Sequence, residues 1–301
     1  PSNMTVMVVA DMEPEAAVAA IRKNFSGGEK KQPPANRDAG IKPYEATRAI
    51  VASDAELTDA QVSIVWIGRP EPMATTVPLY RRDLVDSIGA WCFNRRLQKK
   101  VSDGKVSFLG GGASAGDLFG AGLLAQVSCR GVPEKWEQML SELAIETQRA
   151  YLHGFSEQEI ADAKKEIQAG AERAVETEAT LPAQAILGEW DSAITDGVPI
   201  TSAAQSLEIT KQCLPGITSA EVGVRFRVLF DTTKPVAFGL QIPSNVSVPT
   251  EEQLIAAGQK ALNVTPEGEA ESKRATALLE KIPEPAAICG VMVVGTVARM
   301  C

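Results

Sequence analysis

The sequence predicts an α+β fold, with helices gathered against a β-sheet. Two observations point there. Short strand-like runs recur at 5–11, 47–53, 61–68, 107–115, 123–129 and 235–242, the first of them rich in β-branched residues. One long helical stretch separates the third run from the fourth, and a series of helical stretches separates the fifth from the sixth. That order departs from the strand–helix alternation of an all-parallel sheet. With 301 residues, 45% apolar and 23% charged, the chain can bury a large core without disulfides or metals.

Each element has a local reason. Thr5 to Asp11 (Thr-Val-Met-Val-Val-Ala-Asp) reads as a buried strand. Glu13-Pro14-Glu15 opens a helix, because proline fits the first turn and acids suit the positive N-terminal end. Ala17, Val18, Ile21 and Phe25 form its apolar face, and Ser26-Gly27-Gly28 ends it. Residues 29–44, charged and proline-rich, form a connector. After two strands, a helix runs from about 77 to 101 with Leu84, Val85, Ile88, Trp91, Cys92 and Leu97 on or near one face. Two strands flank a glycine-rich segment at 107–129. A helix over 133–152 stops at Gly154, and Ser156 with Glu159 has the spacing of a capping box that starts the next, to about 178. Shorter helices are expected at 182–194, 202–213 and 218–229, then the closing strand. Pro243 to Pro249 marks a boundary. Residues 1–245 are expected to form one domain, and 246–301 a linker and the start of a following half. Within the latter, 250–262 is a small amphipathic helix, 263–286 is polar and proline-punctuated, and 288–300 is apolar again.

Several function classes are disfavoured. A net charge of −8 argues against nucleic acid as a partner. No apolar run reaches about 18 residues, so no transmembrane helix is expected. The opening Pro1-Ser2-Asn3-Met4 lacks a signal peptide and reads as a cut fragment. His153 is the one histidine, and the five cysteines at 92, 129, 213, 289 and 301 are widely spaced. Hydrolytic zinc needs three protein ligands and an open position, so neither a metal ligand nor a catalytic residue is named. Gly110-Gly111-Gly112 and Gly116 lack the Gly-Lys-Ser/Thr of a phosphate loop. They could expose backbone to an incoming peptide strand. The acids of 157–178, interleaved with Lys164, Lys165 and Arg173, read as a salt-bridged exposed face.

Four stretches then carry a family resemblance: Pro1 to Val9 followed by Asp11 and the Glu13-Pro14-Glu15 helix; Phe93-Asn94-Arg95-Arg96-Leu97; Gly154-Phe155-Ser156-Glu157-Gln158-Glu159-Ile160 through Ala163-Lys164; and the strand at 235–242 with its proline-rich exit. In order and spacing, over residues 1 to about 245, they resemble the non-catalytic domain of the M16 zinc metallopeptidases, the family of pitrilysin, insulinase and the mitochondrial processing peptidase. The resemblance implies a mostly antiparallel sheet with helices packed on one face. It implies two homologous domains per half-shell and two half-shells around a peptide chamber. Zinc and a glutamate base would lie on a His-x-x-Glu-His helix of the preceding domain, so no cofactor is expected here. The implied partners are that zinc domain, in the same polypeptide, and a peptide substrate. The family often places an Arg and a Tyr after the long helix near the scissile peptide. Arg95 or Arg96 matches the arginine, whereas Lys105, Val106 and Phe108 offer no tyrosine. The expected function is a substrate-enclosing, non-catalytic domain. The alternatives are a scaffold in an inactive homologue, like the core subunits of respiratory complexes, or a peptide-binding module.

Overall fold

The computed structural model describes residues 4–28, 32 and 39–269. Helix α1 (Pro14–Phe25) comes first, then strands β1 (Arg48–Asp54) and β2 (Ala60–Gly68). Helix α2 (Val77–Ser102) leads to the hairpin β3 (Phe108–Asp117) and β4 (Leu123–Gly131). Five helices follow: α3 (Trp136–His153), α4 (Glu157–Thr177), α5 (Ala183–Asp196), α6 (Ala203–Cys213) and α7 (Ser219–Leu229). Strand β5 (Ala237–Pro243) and helix α8 (Glu251–Leu262) complete the described elements.

The strands form one sheet in the order β1-β5-β2-β4-β3. Only the β1–β5 pair is parallel; β2–β5, β2–β4 and β3–β4 are antiparallel. β5, last in sequence, is thus inserted between β1 and β2. Period-two burial shows which face is covered. β2 buries Ala60, Val62, Ile64 and Trp66, and β4 buries Ala125, Val127 and Cys129, while the residues between them are exposed or half-buried. Helices α2, α3 and α8 pack above that face, and α7 packs on α2 and α3. Ile88, Cys92, Phe93 and Leu97 of α2 meet Met139, Leu140 and Leu143 of α3 in one core, each large apolar side chain contributing about 1.5–3 kcal/mol. Phe226 of α7 sits in an aromatic cluster, with ring centroids 5.7 Å from Phe93, 5.2 Å from Phe155 and 4.5 Å from Phe230. The α+β architecture, with helices on one face of a mostly antiparallel sheet, is the one the sequence predicts.

Local signals behave as their chemistry requires. α3 stops at His153 with Gly154 as its cap at φ 65°. α4 opens with the full capping box: Ser156 accepts from Glu159 N, and the Glu159 carboxylate accepts from Ser156 N. On the exposed side of α4, Arg173 pairs with Glu166 (2.8 Å) and Glu172 with Lys211 of α6 (3.1 Å).

Two expectations change. Thr5 to Asp11 is not a buried strand. Residues 4–12 join no ladder, and all five positions of the sheet are filled by other segments. Beyond Pro243–Pro249, α8 buries Leu254, Gly258 and Ala261 against the body, touching α3, β1 and β5. The packed unit therefore runs on to Gly268, past the boundary expected at 245. The apolar stretch 288–300 lies outside the described residues.

Candidate functional site

The end of α2 faces two ways. Arg96 is only 9% exposed. It donates through Nε to Glu159 Oε1 (2.6 Å) and through Nη2 to Glu159 Oε2 (2.7 Å) and to the Gly154 carbonyl (2.9 Å). Its guanidinium lies over the Phe155 ring, 4.7 Å from the centroid. The planar fork thus ties α2 to the turn that starts α4. Burial pushes the Glu159 carboxyl up, but the hydrogen bonds and charge of Arg96, with those of Ser156, outweigh it and hold the group below its ordinary range. Arg95, one residue earlier, is exposed and donates to Gln98 Oε1 at 3.4 Å. Of the two arginines singled out by sequence, Arg95 alone presents its guanidinium to solvent. Phe108, at the place where a tyrosine would complete the pattern, is buried in the core, and Lys105 pairs with Asp103.

Asn94 reaches a different target. It accepts from Ala113 N (2.6 Å) through Oδ1 and donates to Ala113 O (3.3 Å) through Nδ2. A side chain on Gly112 would press on that amide, its Cβ falling 3.0 Å from Asn94 Oδ1. β3 pairs with β4 alone, so it is an edge of the sheet. Because Ala113 turns both backbone groups away from β4, strand alternation turns those of Gly111, Ala115 and Asp117 the same way. The edge is therefore capped at its midpoint by a side chain and open toward the hairpin tip. That tip carries Phe119, 93% exposed and held at φ 52°, a conformation uncommon for a bulky residue. Sequence reading passed over Asn94 and Phe119. The Phe119-Gly120-Ala121-Gly122 tip offered a turn signal without showing that the aromatic would stand free.

A cleft of about 410 Å³ runs beside this half of β3, lined by Ala113 to Asp117, by Asp83, Asp86 and Ser87 of α2, and by Glu71 and Phe230. Arg225 organises its polar side. It donates to both carboxylate oxygens of Glu71 (2.8 and 2.5 Å) and of Asp86 (2.6 and 2.9 Å). The Arg225 hydrogen bond holds Glu71 below the ordinary carboxylate range, whereas deeper burial pushes Asp86 above it. These acids are committed to an arginine rather than poised for acid–base work.

Among the described residues, no group of three or more His, Cys, Asp or Glu side chains is placed to hold a metal. His153 Nε2 lies 2.9 Å from the Pro266 carbonyl, against the segment leaving α8. Burial pushes the Cys92 thiol up to about 12 and the Cys129 thiol higher still, so neither is a nucleophile at neutral pH. Among the described residues, no helix is long and apolar enough to cross a membrane.

The family model described as the Peptidase M16 inactive domain matches residues 1–167. The Probable zinc protease PqqL of Escherichia coli (strain K12) is 22% identical over 234 residues, 76% of this chain and 25% of that protein. The chain thus spans about a quarter of the relative's length. The crystal structure of the periplasmic protease PqqL from Escherichia coli superposes with a TM-score of 0.76 at 17% identity, covering 89% of this chain and 30% of that one. A predicted insulinase family protease from Yersinia pestis superposes at 0.69 and 14% identity, covering 84% of this chain and 54% of that one. A fold set by one-faced packing of helices on this sheet, and a family match over more than half its residues, lead to one conclusion: the chain belongs to the Peptidase M16 inactive domain family.

Proposed function

We propose that this chain is a non-catalytic wall of a zinc peptidase, enclosing peptide substrate while a zinc domain of the same polypeptide hydrolyses it. The observation that carries the reading is the match of three quarters of this chain to a quarter of a probable zinc protease. The one histidine has its Nε2 2.9 Å from the Pro266 carbonyl. The surface for substrate is the outer edge of β3. Peptide backbone would pair with the groups of Ala115 and Asp117, giving main-chain recognition that tolerates many sequences. Phe119 would supply an apolar contact at one end, and Arg95 a cationic contact to a peptide carbonyl or carboxylate. The contribution to catalysis is confinement and positioning, which lowers the entropic part of the barrier.

The test compares this chain with the whole polypeptide in metal analysis and peptide hydrolysis. The chain alone is expected to bind no stoichiometric zinc and cleave nothing, and the whole polypeptide to show chelator-sensitive cleavage. Zinc held by this chain together with chelator-sensitive cleavage overturns the reading. So does a whole polypeptide without zinc, which would leave a scaffold.

A further inference from the structure

From Ala174 to Thr210 the chain carries Glu176, Glu178, Glu189, Asp191, Asp196 and Glu208, and not one Lys, Arg or His. Six acids without a base put −6 of the chain's net −8 into this one stretch.

Helix α5 lies at its centre, and its faces are divided. At about 100° of turn per residue, Ile186, Leu187, Trp190, Ala193 and Ile194 share one face. Glu189 and Asp196 border that face on one side and Asp191 on the other. α5 buries none of its residues, and no described helix or strand packs along it. Ile194 is 42% exposed and Ile200, just beyond the helix, 52%, while Ile186, Leu187 and Trp190 are half-buried. Glu178 is committed, accepting from Ala203 N at the start of α6 (2.8 Å). Glu189, Asp191 and Asp196 are exposed, and among the described residues none of the three is paired with a cation.

An exposed apolar stripe marks an interaction surface, and its border selects among occupants. A second copy of the chain would set acid against acid. An anionic membrane surface or a nucleic acid would be repelled for the same reason. We propose that α5 docks a basic amphipathic helix of another protein. Apolar side chains of that helix lie on Ile186, Trp190 and Ile194, and its Lys and Arg side chains meet Glu189 and Asp196 along one border and Asp191 along the other. α5 spans about 21 Å, so a partner helix of about four turns covers it. The surface lies on a different element from the β3 edge, and its measurement needs neither zinc nor cleavage. It therefore stands or falls apart from the peptidase reading.

The probe is a fluorescent peptide of about 16 residues, with Leu and Lys placed to give one apolar stripe between two basic borders. Its binding is read by anisotropy on this chain and on the whole polypeptide. Both should bind it with a micromolar Kd that weakens about fivefold or more between about 50 and about 300 mM salt. Trp190→Ala should weaken binding about tenfold. Glu189→Gln with Asp191→Asn and Asp196→Asn should weaken it about fivefold or more, and both variants should keep Tm within about 2 °C of the parent. Glu13→Gln with Glu15→Gln and Glu56→Gln removes the same charge elsewhere and should leave binding unchanged. Equal losses from the two charge-removing sets overturn the inference, because the peptide then answers to net charge alone. Equally tight binding of the same peptide with Glu in place of Lys overturns it as well. Self-association, or binding to phosphatidylglycerol vesicles, that Trp190→Ala abolishes gives the stripe to another occupant and overturns it. So does a whole polypeptide that no longer binds the peptide, since another of its domains then covers α5.

Discussion

The two passages 5–25 and 237–262, each an apolar run followed by a helix, carry nearly the same amphipathic pattern and meet opposite fates. In the second, Leu254 is fully buried, and a Cβ on Gly258 would run into the Phe238 ring. In the first, the matching positions Ala17 and Ile21 are only half-buried, and Val18 faces solvent. The difference teaches that periodicity states which face must be covered and leaves open what covers it. An apolar stripe is a demand on the environment, met for α8 by α3, β1 and β5.

The largest expected effect breaks or upholds that contrast directly. Leu254→Ala removes a buried side chain from the α8 interface and should cost about 2–5 kcal/mol, read by denaturant unfolding. Val18→Ala on α1 should fall within about 0.5 kcal/mol of the parent chain. Equal losses at the two sites would mean that α1 is packed as α8 is, and the contrast would fail.

The same contrast separates what was legible in the sequence from what was not. Ser156 and Glu159 were legible because both partners of a capping box lie three residues apart. The α2 face of Ile88, Cys92 and Leu97 was legible because the helix repeat lies within one segment. Arg96 was not. Its partners Gly154 and Glu159 are 58 and 63 residues away, so no local pattern announces them. Asn94 was hidden for the same reason, its hold on Ala113 existing only once β3 lies beside α2. Thr5 to Asp11 shows the opposite error: the local reading of a buried strand assumed a place in the sheet that other segments fill.

A second, smaller effect probes the packed side through its charges. Arg96→Met would leave Glu159 partly buried without its guanidinium partner. Because the Glu159 side chain keeps 25% exposure, the loss at neutral pH should be about 2–3 kcal/mol, below the full cost of a stranded buried charge. The pH dependence has a fixed sign. Glu159 is held below its ordinary value of 4.5 in the folded state. Its stabilisation is therefore complete above that value and is lost as pH falls through the depressed folded one. Unfolding followed from pH 7 to pH 3 should show the Arg96→Met deficit shrinking as Glu159 protonates. A deficit constant across that range would mean that Arg96 acts through packing on Phe155 rather than through charge.

The smallest effect belongs to Arg95, which is exposed like Val18 of the bare passage. Arg95→Ala should change the stability of this chain by less than about 0.5 kcal/mol, since an exposed arginine with one long hydrogen bond contributes little. On the proposed peptidase reading, it should raise KM for peptide in the whole polypeptide by about three- to tenfold with kcat unchanged, the signature of a contact made equally in ground and transition states. Arg95→Lys keeps the charge without the planar fork. Recovery of KM by lysine would assign the contact to charge alone, while failure to recover would assign it to bidentate pairing. An Arg95→Ala enzyme with unaltered KM would remove Arg95 from the substrate surface and leave the β3 edge and Phe119 to hold the peptide. The wall would then recognise backbone and bulk without a cation, just as α8 recognises its neighbours through shape.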